Sequence, residues 1–502
     1  MKSRIENPDL RGCIMEPEEA SRIIQKGMTV AFGGYTSSGY PKKIAEELVK
    51  RKKKEEDFHI FMVSGSTNAY LENMLGEADL ISRRAPMIES RSLREKVNKG
   101  EVHYVEQQMN KMARLINQNA FGKIDVAIVE ALRITKNGYI VPTSSVGLTP
   151  NILECAEKVI VEINMEQPME LEGLHDIFMP GRYPNRRVIP LCNTGEKIGA
   201  PYIHINPEKI YAIIESREPD AFPDSPSSTQ EMRAAVDHLL NFLEIECEKN
   251  YGGKLPPVQT GFGNLATEIV KGLGRSKFQN LEFFCGGLQE SNLALVADGR
   301  AKSVSGGSFQ MTENVMRMLK EAPALFKERS VLRNIEITNA GEVIQRLGVF
   351  AINSAIETDI YGNVNSSHIA GNRVVNGIGG GANFAQNAEL SILVLVSENK
   401  KGAISTIVPM VSHQDISEHD IDIVVTENGV ADLRGKDDLE RAHLIIENCA
   451  SIRYRSLLKE YLQKAIQEKG GHHPQNPFEA FQWYKRLKEA GAMDGGGDEK
   501  QI

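Results

Sequence analysis

Short apolar stretches alternate with helical stretches along both halves of the chain, and that alternation narrows the fold more than any other feature. Met28–Phe32, Ile60–Val63, Val126–Val129 and Val159–Ile163 are near-continuous apolar runs, as strands buried on both faces require. Helices such as Pro41–Arg51 fall between them. In the second half Leu281–Phe284, Leu390–Val396 and Ile421–Val425 are strand-like, while Asp438–Glu447 and Tyr454–Glu468 are helical. The pattern predicts an α/β fold, with a parallel or mixed sheet covered by helices in each half. At 502 residues the chain exceeds one compact core and implies two large domains. The segment Glu218–Thr229 holds three prolines and a Ser/Thr cluster, which disfavour helix and sheet ladder alike. The expected division is therefore 1–222, 223–490, and a disordered tail over 491–502, where Gly495-Gly496-Gly497 and several charges lie. Gln230–Lys249 reads as an amphipathic helix with Met232, Val236, Leu239, Leu240 and Leu243 on one stripe.

Charge and cysteine usage exclude several function classes. A net charge of −8 argues against a nucleic-acid surface, which needs a basic excess to neutralise phosphates. The six cysteines are scattered without a CxxC or a His/Cys cluster, so reduced, mostly buried thiols are expected and no metal. His413 and His419, with Asp415, Glu418 and Asp420, match no standard ligand spacing and read as a surface loop. No apolar run approaches a membrane span, and Met1–Leu10 is polar with both charge signs, unlike a signal peptide. A soluble, cytoplasmic protein without membrane partners is the expectation.

Three glycine-rich loops carry the candidate chemistry. Gly33-Gly34-Tyr35-Thr36-Ser37-Ser38-Gly39-Tyr40-Pro41 joins a strand to a helix and places Pro41 for its first turn. Gly261-Phe262-Gly263-Asn264-Leu265-Ala266 fits GxGxxA, with Glu282 about 20 residues on, as a dinucleotide site would have it. Pro256-Pro257 leaves room there for only a very short strand, which weakens a dehydrogenase reading. Gly377-Ile378-Gly379-Gly380-Gly381 places four glycines in five positions, more than one turn needs, and can present N–H groups to an oxyanion.

These loops, in this order, resemble the acetyl-CoA hydrolase/transferase family, which includes bacterial succinyl-CoA:acetate CoA-transferases, over roughly Leu10 to Lys469. Gly39-Tyr40-Pro41-Lys42, Val141-Pro142-Thr143-Ser144-Ser145-Val146-Gly147 and Glu172-Gly173-Leu174-His175-Asp176 carry the likeness in the first half. Ile356–His368, Asn376–Gly380, Gly402–Ser405 and Thr426–Gly435 carry it in the second. The resemblance implies two tandem CoA-transferase-type α/β domains with the active site in the cleft between them, and a homodimer. It implies coenzyme A in acyl-CoA as substrate, a small carboxylate as partner, and no nucleotide cofactor. Gly380 is similar to the family's oxyanion glycine, Asn376 to a neighbouring CoA contact, and Gly261, Gly263 and Asn264 to the loop beside the pantetheine. Lys400 resembles the lysine that meets the CoA phosphates, with Lys401 as the alternative. Tyr361 and Asn363 belong to a matching segment without an assigned role.

The likeness breaks where the family keeps its reagent. Around Phe284-Cys285-Gly286-Gly287-Leu288-Gln289-Glu290 the family pattern is Thr-Glu-Val-Leu-Gln-Asp, whose Glu attacks the thioester; aligned through Leu-Gln, that position is Gly286. Cys285 takes the Thr position and Glu290 the Asp position; Ala382 and Asn383 replace a Gly and an Asp of the oxyanion loop. Strand alternation places Glu282 on the same face as Gly286 but about 13 Å away, and Cys285 on the opposite face. A glycine cannot form an acyl anhydride. Three readings follow: transfer of CoA between an acyl-CoA and a small carboxylate by a changed route, acyl-CoA hydrolysis, or a non-catalytic CoA-binding paralogue.

Overall fold

The computed structural model describes residues 1–222 and 227–496. The chain builds two compact units, and neither is contiguous. The first takes Met1–Asp224, Gln279–Leu347 and Gly377–Asn383; the second takes Ser225–Phe278, Gly348–Asn376 and Phe384–Ile502. A single second domain over 223–490 is thus not what forms, because Gln279–Leu347 and Gly377–Asn383 pack with the first unit.

In the first unit seven parallel strands run in the spatial order Ile210–Ser216, Lys158–Asn164, Val126–Ala131, Thr29–Phe32, Ile60–Ser64, Ile81–Ala85, His103–Tyr104. The central strands are buried along their length, which is why they read as apolar runs rather than alternating ones. Val30, Phe32, Ile60, Met62 and Ile128 pack with Ile44, Ala45 and Leu48 of the helix Lys43–Lys52. That helix starts two residues after Pro41, later than the sequence suggests. The Glu162 carboxylate accepts the N–H groups of Lys42 and Lys43 and does the capping instead.

A second parallel set in this unit joins Leu281–Phe284, Ala301–Gly306, Ser330–Arg333 and His175–Asp176. Arg333 and Asp176 form a fully buried ion pair across its last two strands. Arg333 also donates to Thr194 O at 3.1 Å, and Asp176 accepts from Ile198 N at 2.8 Å. A buried pair needs such extra bonds to offset its desolvation.

In the second unit Val258–Thr260, Phe350–Asn353, Leu390–Val394 and Ile423–Thr426 are parallel, and Gly429–Asp432 closes the edge antiparallel. The helix Gln230–Asn250, capped by the Thr229 hydroxyl, buries Val236, Leu239 and Leu243. The first residues of the expected disordered tail are packed: Ala492 and Met493 are buried, Met493 N bonds Ala403 O at 2.9 Å, and Asp494 pairs with Arg453 at 2.6 Å. Residues 497–502 lie outside the described residues. Among the described residues no helix is long and apolar enough to cross a membrane.

Candidate active site

The strand Leu281–Phe284 ends before Gly286, and the chain turns there before the helix Glu290–Ala297 begins. The alternation expected to carry Gly286 on one strand face therefore stops short of it. Gly286 O accepts from Gly307 N at 2.8 Å, which fixes the turn. Its φ lies outside the left-handed region, so the backbone does not demand glycine. A side chain there would begin 3.3 Å from Tyr35 Oη and 3.8 Å from Asn339 Oδ1. Gly307 contrasts with it, since a Cβ there would meet Gly286 O at 2.7 Å. Glycine at 286 thus has no backbone reason, and the first atom a side chain would press on is the Tyr35 hydroxyl.

The loop Gly377–Asn383 docks on the same unit. Ile378 N donates to Glu106 Oε1 at 2.8 Å, and Met109 N to Gly379 O at 3.2 Å. A Cβ at Gly377 would meet Met87 Cγ at 2.8 Å, and one at Gly380 would meet Asn339 Nδ2 at 2.7 Å. Those contacts explain the density of glycine better than turn geometry does. Asn339 is buried at the end of the short helix Ile335–Thr338. Its Nδ2 donates to Asn383 Oδ1 at 3.3 Å, Asn383 Nδ2 donates to Gln108 Oε1 at 3.3 Å, and Asn110 N donates to Asn383 Oδ1 at 3.1 Å. Asn383 is therefore an orienting residue for the amide of Asn339. The structure brings Gly286 and Gly380 to the two sides of Asn339, a residue that no sequence motif singled out.

The nearby acids and thiol are occupied elsewhere. Glu282 accepts from Lys302 Nζ at 2.7 Å and from the hydroxyls of Thr194 and Ser303, which removes it both as a substitute nucleophile and as a ribose ligand. Glu290 opens a helix and accepts from Thr312 Oγ1 and Asn314 Nδ2, each at 2.7 Å. Cys285 is fully buried.

Beneath the Tyr35 loop the motifs Gly39–Lys42 and Thr143–Ser144 build a buried polar cluster. Lys42 Nζ lies 2.7 Å from Glu130 Oε2 and 2.9 Å from Asp220 Oδ1. Thr143 donates to Glu130, and Ser144 and Gly39 N donate to Asp220. Burial works against the Lys42 ammonium, but Asp220 and then Glu130 outweigh it and hold its pKa above the usual value. His175 Nε2 donates to Thr143 O at 2.8 Å, and burial holds the imidazole down at about 4. In the unfolded chain the same ring titrates near its ordinary value of 6.5. Between those values only the unfolded chain binds the proton, so stability rises with pH across that window. His175→Gln, which keeps a donor for Thr143 O, is expected to flatten that rise by about one proton. Urea midpoints across the window check it; an unchanged slope would remove His175 as the cause.

The remaining candidate residues belong to the second unit. Gly261 follows the three-residue strand Val258–Thr260, Gly263 caps the helix Asn264–Arg275 with φ 104°, and Asn264 is its first residue. Asn376 is exposed, with its N–H on Ser367 O at 3.2 Å. Lys400 and Lys401 are exposed at a hairpin tip, with φ 50° and 55°. Tyr361 and Asn363 are structural: Asp359 Oδ1 takes both their N–H groups at 3.0 Å, and Tyr361 is buried. His413 is half-buried rather than on a surface loop, because it stacks on His368 at 3.9 Å and Asp415 is bonded to Ser366 N and Ser367.

Comparison with known proteins supplies the family. The acetyl-CoA hydrolase/transferase N-terminal domain matches residues 7–215 and the C-terminal domain of the same family matches 313–462. The succinyl-CoA:acetate CoA-transferase of Clostridium kluyveri is 40% identical over 98% of this chain and 92% of its own. The propanoyl-CoA:succinate CoA transferase of Escherichia coli is 36% identical over 96% of this chain and 99% of its own. The crystal structure of RipA from Yersinia pestis superposes with a TM-score of 0.70 at 19% identity, covering 90% of this chain and 97% of that one. The mixed α/β fold, the tandem domain matches and the full-length identities together place the chain in the acetyl-CoA hydrolase/transferase family.

Proposed function

We propose that the protein moves CoA between an acyl-CoA and a small carboxylate without a carboxylate of its own, the acceptor taking the space in front of Gly286. The observation that carries this reading is that the backbone has no need for glycine at 286, where a side chain would begin against the Tyr35 hydroxyl at 3.3 Å and beside the amide oxygen of Asn339 at 3.8 Å. An acceptor carboxylate oxygen attacks the thioester carbon, a C–O bond forms, the C–S bond breaks, and CoA leaves as the thiolate. The thiolate then attacks the acceptor carbonyl of the mixed anhydride, whose C–O bond breaks to release the donor acid. Asn339 Nδ2 and the Gly380 N–H are the proposed donors to the oxyanion of the first attack. The relatives named CoA-transferases support the reaction class, and residues Gly261, Gly263, Asn264, Asn376 and Lys400 are the proposed CoA contacts.

Hydrolysis is the second reading, since the same room admits water. Incubating acetyl-CoA with the protein and a panel of small carboxylates, read by mass spectrometry, tests both. New acyl-CoA species are expected. Free CoA without new acyl-CoA means a hydrolase, and neither product means a non-catalytic paralogue.

A further inference from the structure

Tyr35 presents its hydroxyl 3.3 Å from where a Gly286 side chain would begin, and the proposed exchange gives it no role. The residue is 5% exposed, and its ring lies in a slot made by two glycines. A Cβ at Gly147 would meet Tyr35 Cβ at 2.8 Å and Cδ2 at 3.0 Å, and one at Gly307 would meet Cδ1 at 3.5 Å. The backbone around it is held as firmly. Tyr35 N donates to Ser38 O at 3.0 Å, Ser38 N to Tyr35 O at 3.1 Å, and Thr36 N to Ser66 Oγ at 2.9 Å. Thr36 Oγ1 is bonded to Ser308 Oγ. The chain therefore fixes the phenol's direction from both ends, as a preorganised donor requires. Among the described residues Tyr35 Oη makes no hydrogen bond, and it is not one of the fully buried polar atoms, so its hydroxyl is left to donate into the gap. Burial raises its pKa, so it stays protonated and can only donate to an anion.

We infer that Tyr35 is a further catalytic residue, whose hydroxyl holds the acceptor carboxylate in the gap before Gly286. This rests on the exchange reading above and adds the group that replaces a tethered nucleophile. One acceptor oxygen accepts the Tyr35 hydrogen bond, which turns the other toward the thioester carbon. When the CoA thiolate later attacks the acceptor carbonyl, the oxygen already bonded to Tyr35 becomes the oxyanion. Tyr35 keeps its proton throughout, so no further acid or base is consumed. Asn339 and Gly380 thus serve the first oxyanion and Tyr35 the second.

Tyr35→Phe keeps the ring in its slot and removes only the hydroxyl, so its melting temperature is expected to match wild type. Exchange kcat is expected to fall by about 10²-fold, as for loss of one oxyanion donor. KM for the carboxylate is expected to rise by about tenfold while KM for acyl-CoA stays unchanged, since only the acceptor loses a charged hydrogen bond. Saturation-transfer NMR of acetate and propionate on the free protein gives a second readout that needs no turnover. Wild-type exchange with an unimpaired Tyr35→Phe variant overturns the role of Tyr35 and leaves the exchange reading standing. A wild type that does not exchange, but whose carboxylate signal is lost in Tyr35→Phe, overturns the exchange reading and supports the seat. Equal carboxylate signals in two inactive proteins overturn both.

Discussion

Gly286→Glu is expected to give the protein a covalent intermediate that the wild type lacks. With acetyl-CoA and no acceptor, the intact variant should gain the mass of CoA less one water, as a glutamyl thioester formed with release of acetate, and the wild type should not. The backbone at 286 accepts an L side chain, and the 3.3 Å contact with Tyr35 Oη asks a hydroxyl to move by a few tenths of an ångström. A tethered carboxylate also replaces a bimolecular encounter. The first half-reaction should become independent of added carboxylate and about 10²-fold faster at millimolar acceptor, a modest share of what proximity can supply. Intact-protein mass spectrometry and stopped-flow release of CoA check both statements. A folded variant without an adduct would mean that the gap does not face the thioester.

Asn339→Ala is expected to lower exchange kcat by about 10²–10³-fold, or roughly 3–4 kcal/mol of barrier, with little change in KM for acyl-CoA. The amide is buried, oriented by Asn383 Oδ1 at 3.3 Å, and placed 2.7 Å from where a Gly380 side chain would begin. Its donor therefore lies on the Gly380 side, and its carbonyl oxygen on the Gly286 side, 3.8 Å from where a side chain there would begin. Loss of its bonds to Asn383 and Thr338 also costs stability, on the order of 1–3 kcal/mol. Asn339→Asp separates the two effects, because it keeps the volume and replaces the donor with a charge that repels an oxyanion. Steady-state kinetics beside urea unfolding make the measurement. Equal kcat in folded Asn339→Ala and wild type would remove Asn339 from the site.

Much of the fold was legible because burial on both faces leaves a mark in the sequence. Ile60–Ser64 and Val126–Ala131 are strands for the same reason that they are apolar runs. The glycine loops were legible too, but for a reason that only the structure supplies: Gly377 and Gly380 are small because Met87 and Asn339 press on them. Partners so distant in the chain leave no local pattern. For that reason the sequence assigns no role to Tyr35, inside a turn between glycines, or to Asn339, at the end of a four-residue helix. Extending strand alternation to Gly286 misled, because the strand stops at Phe284 and Glu282 is spent on Lys302, Thr194 and Ser303. The discontinuous first unit was likewise invisible, since nothing in Ser330–Arg333 announces that it pairs with His175–Asp176.

The most direct measurement is a single turnover with acetyl-CoA and an acceptor carboxylate labelled with oxygen-18, reading the label in the released acetate and in the protein. Direct attack by the acceptor predicts one labelled oxygen in the acetate of the first turnover and none in the protein. Label left in the protein would reveal an enzyme carboxylate at work, unlabelled acetate from solvent oxygen would reveal hydrolysis, and either result would contradict exchange through the seat at Gly286.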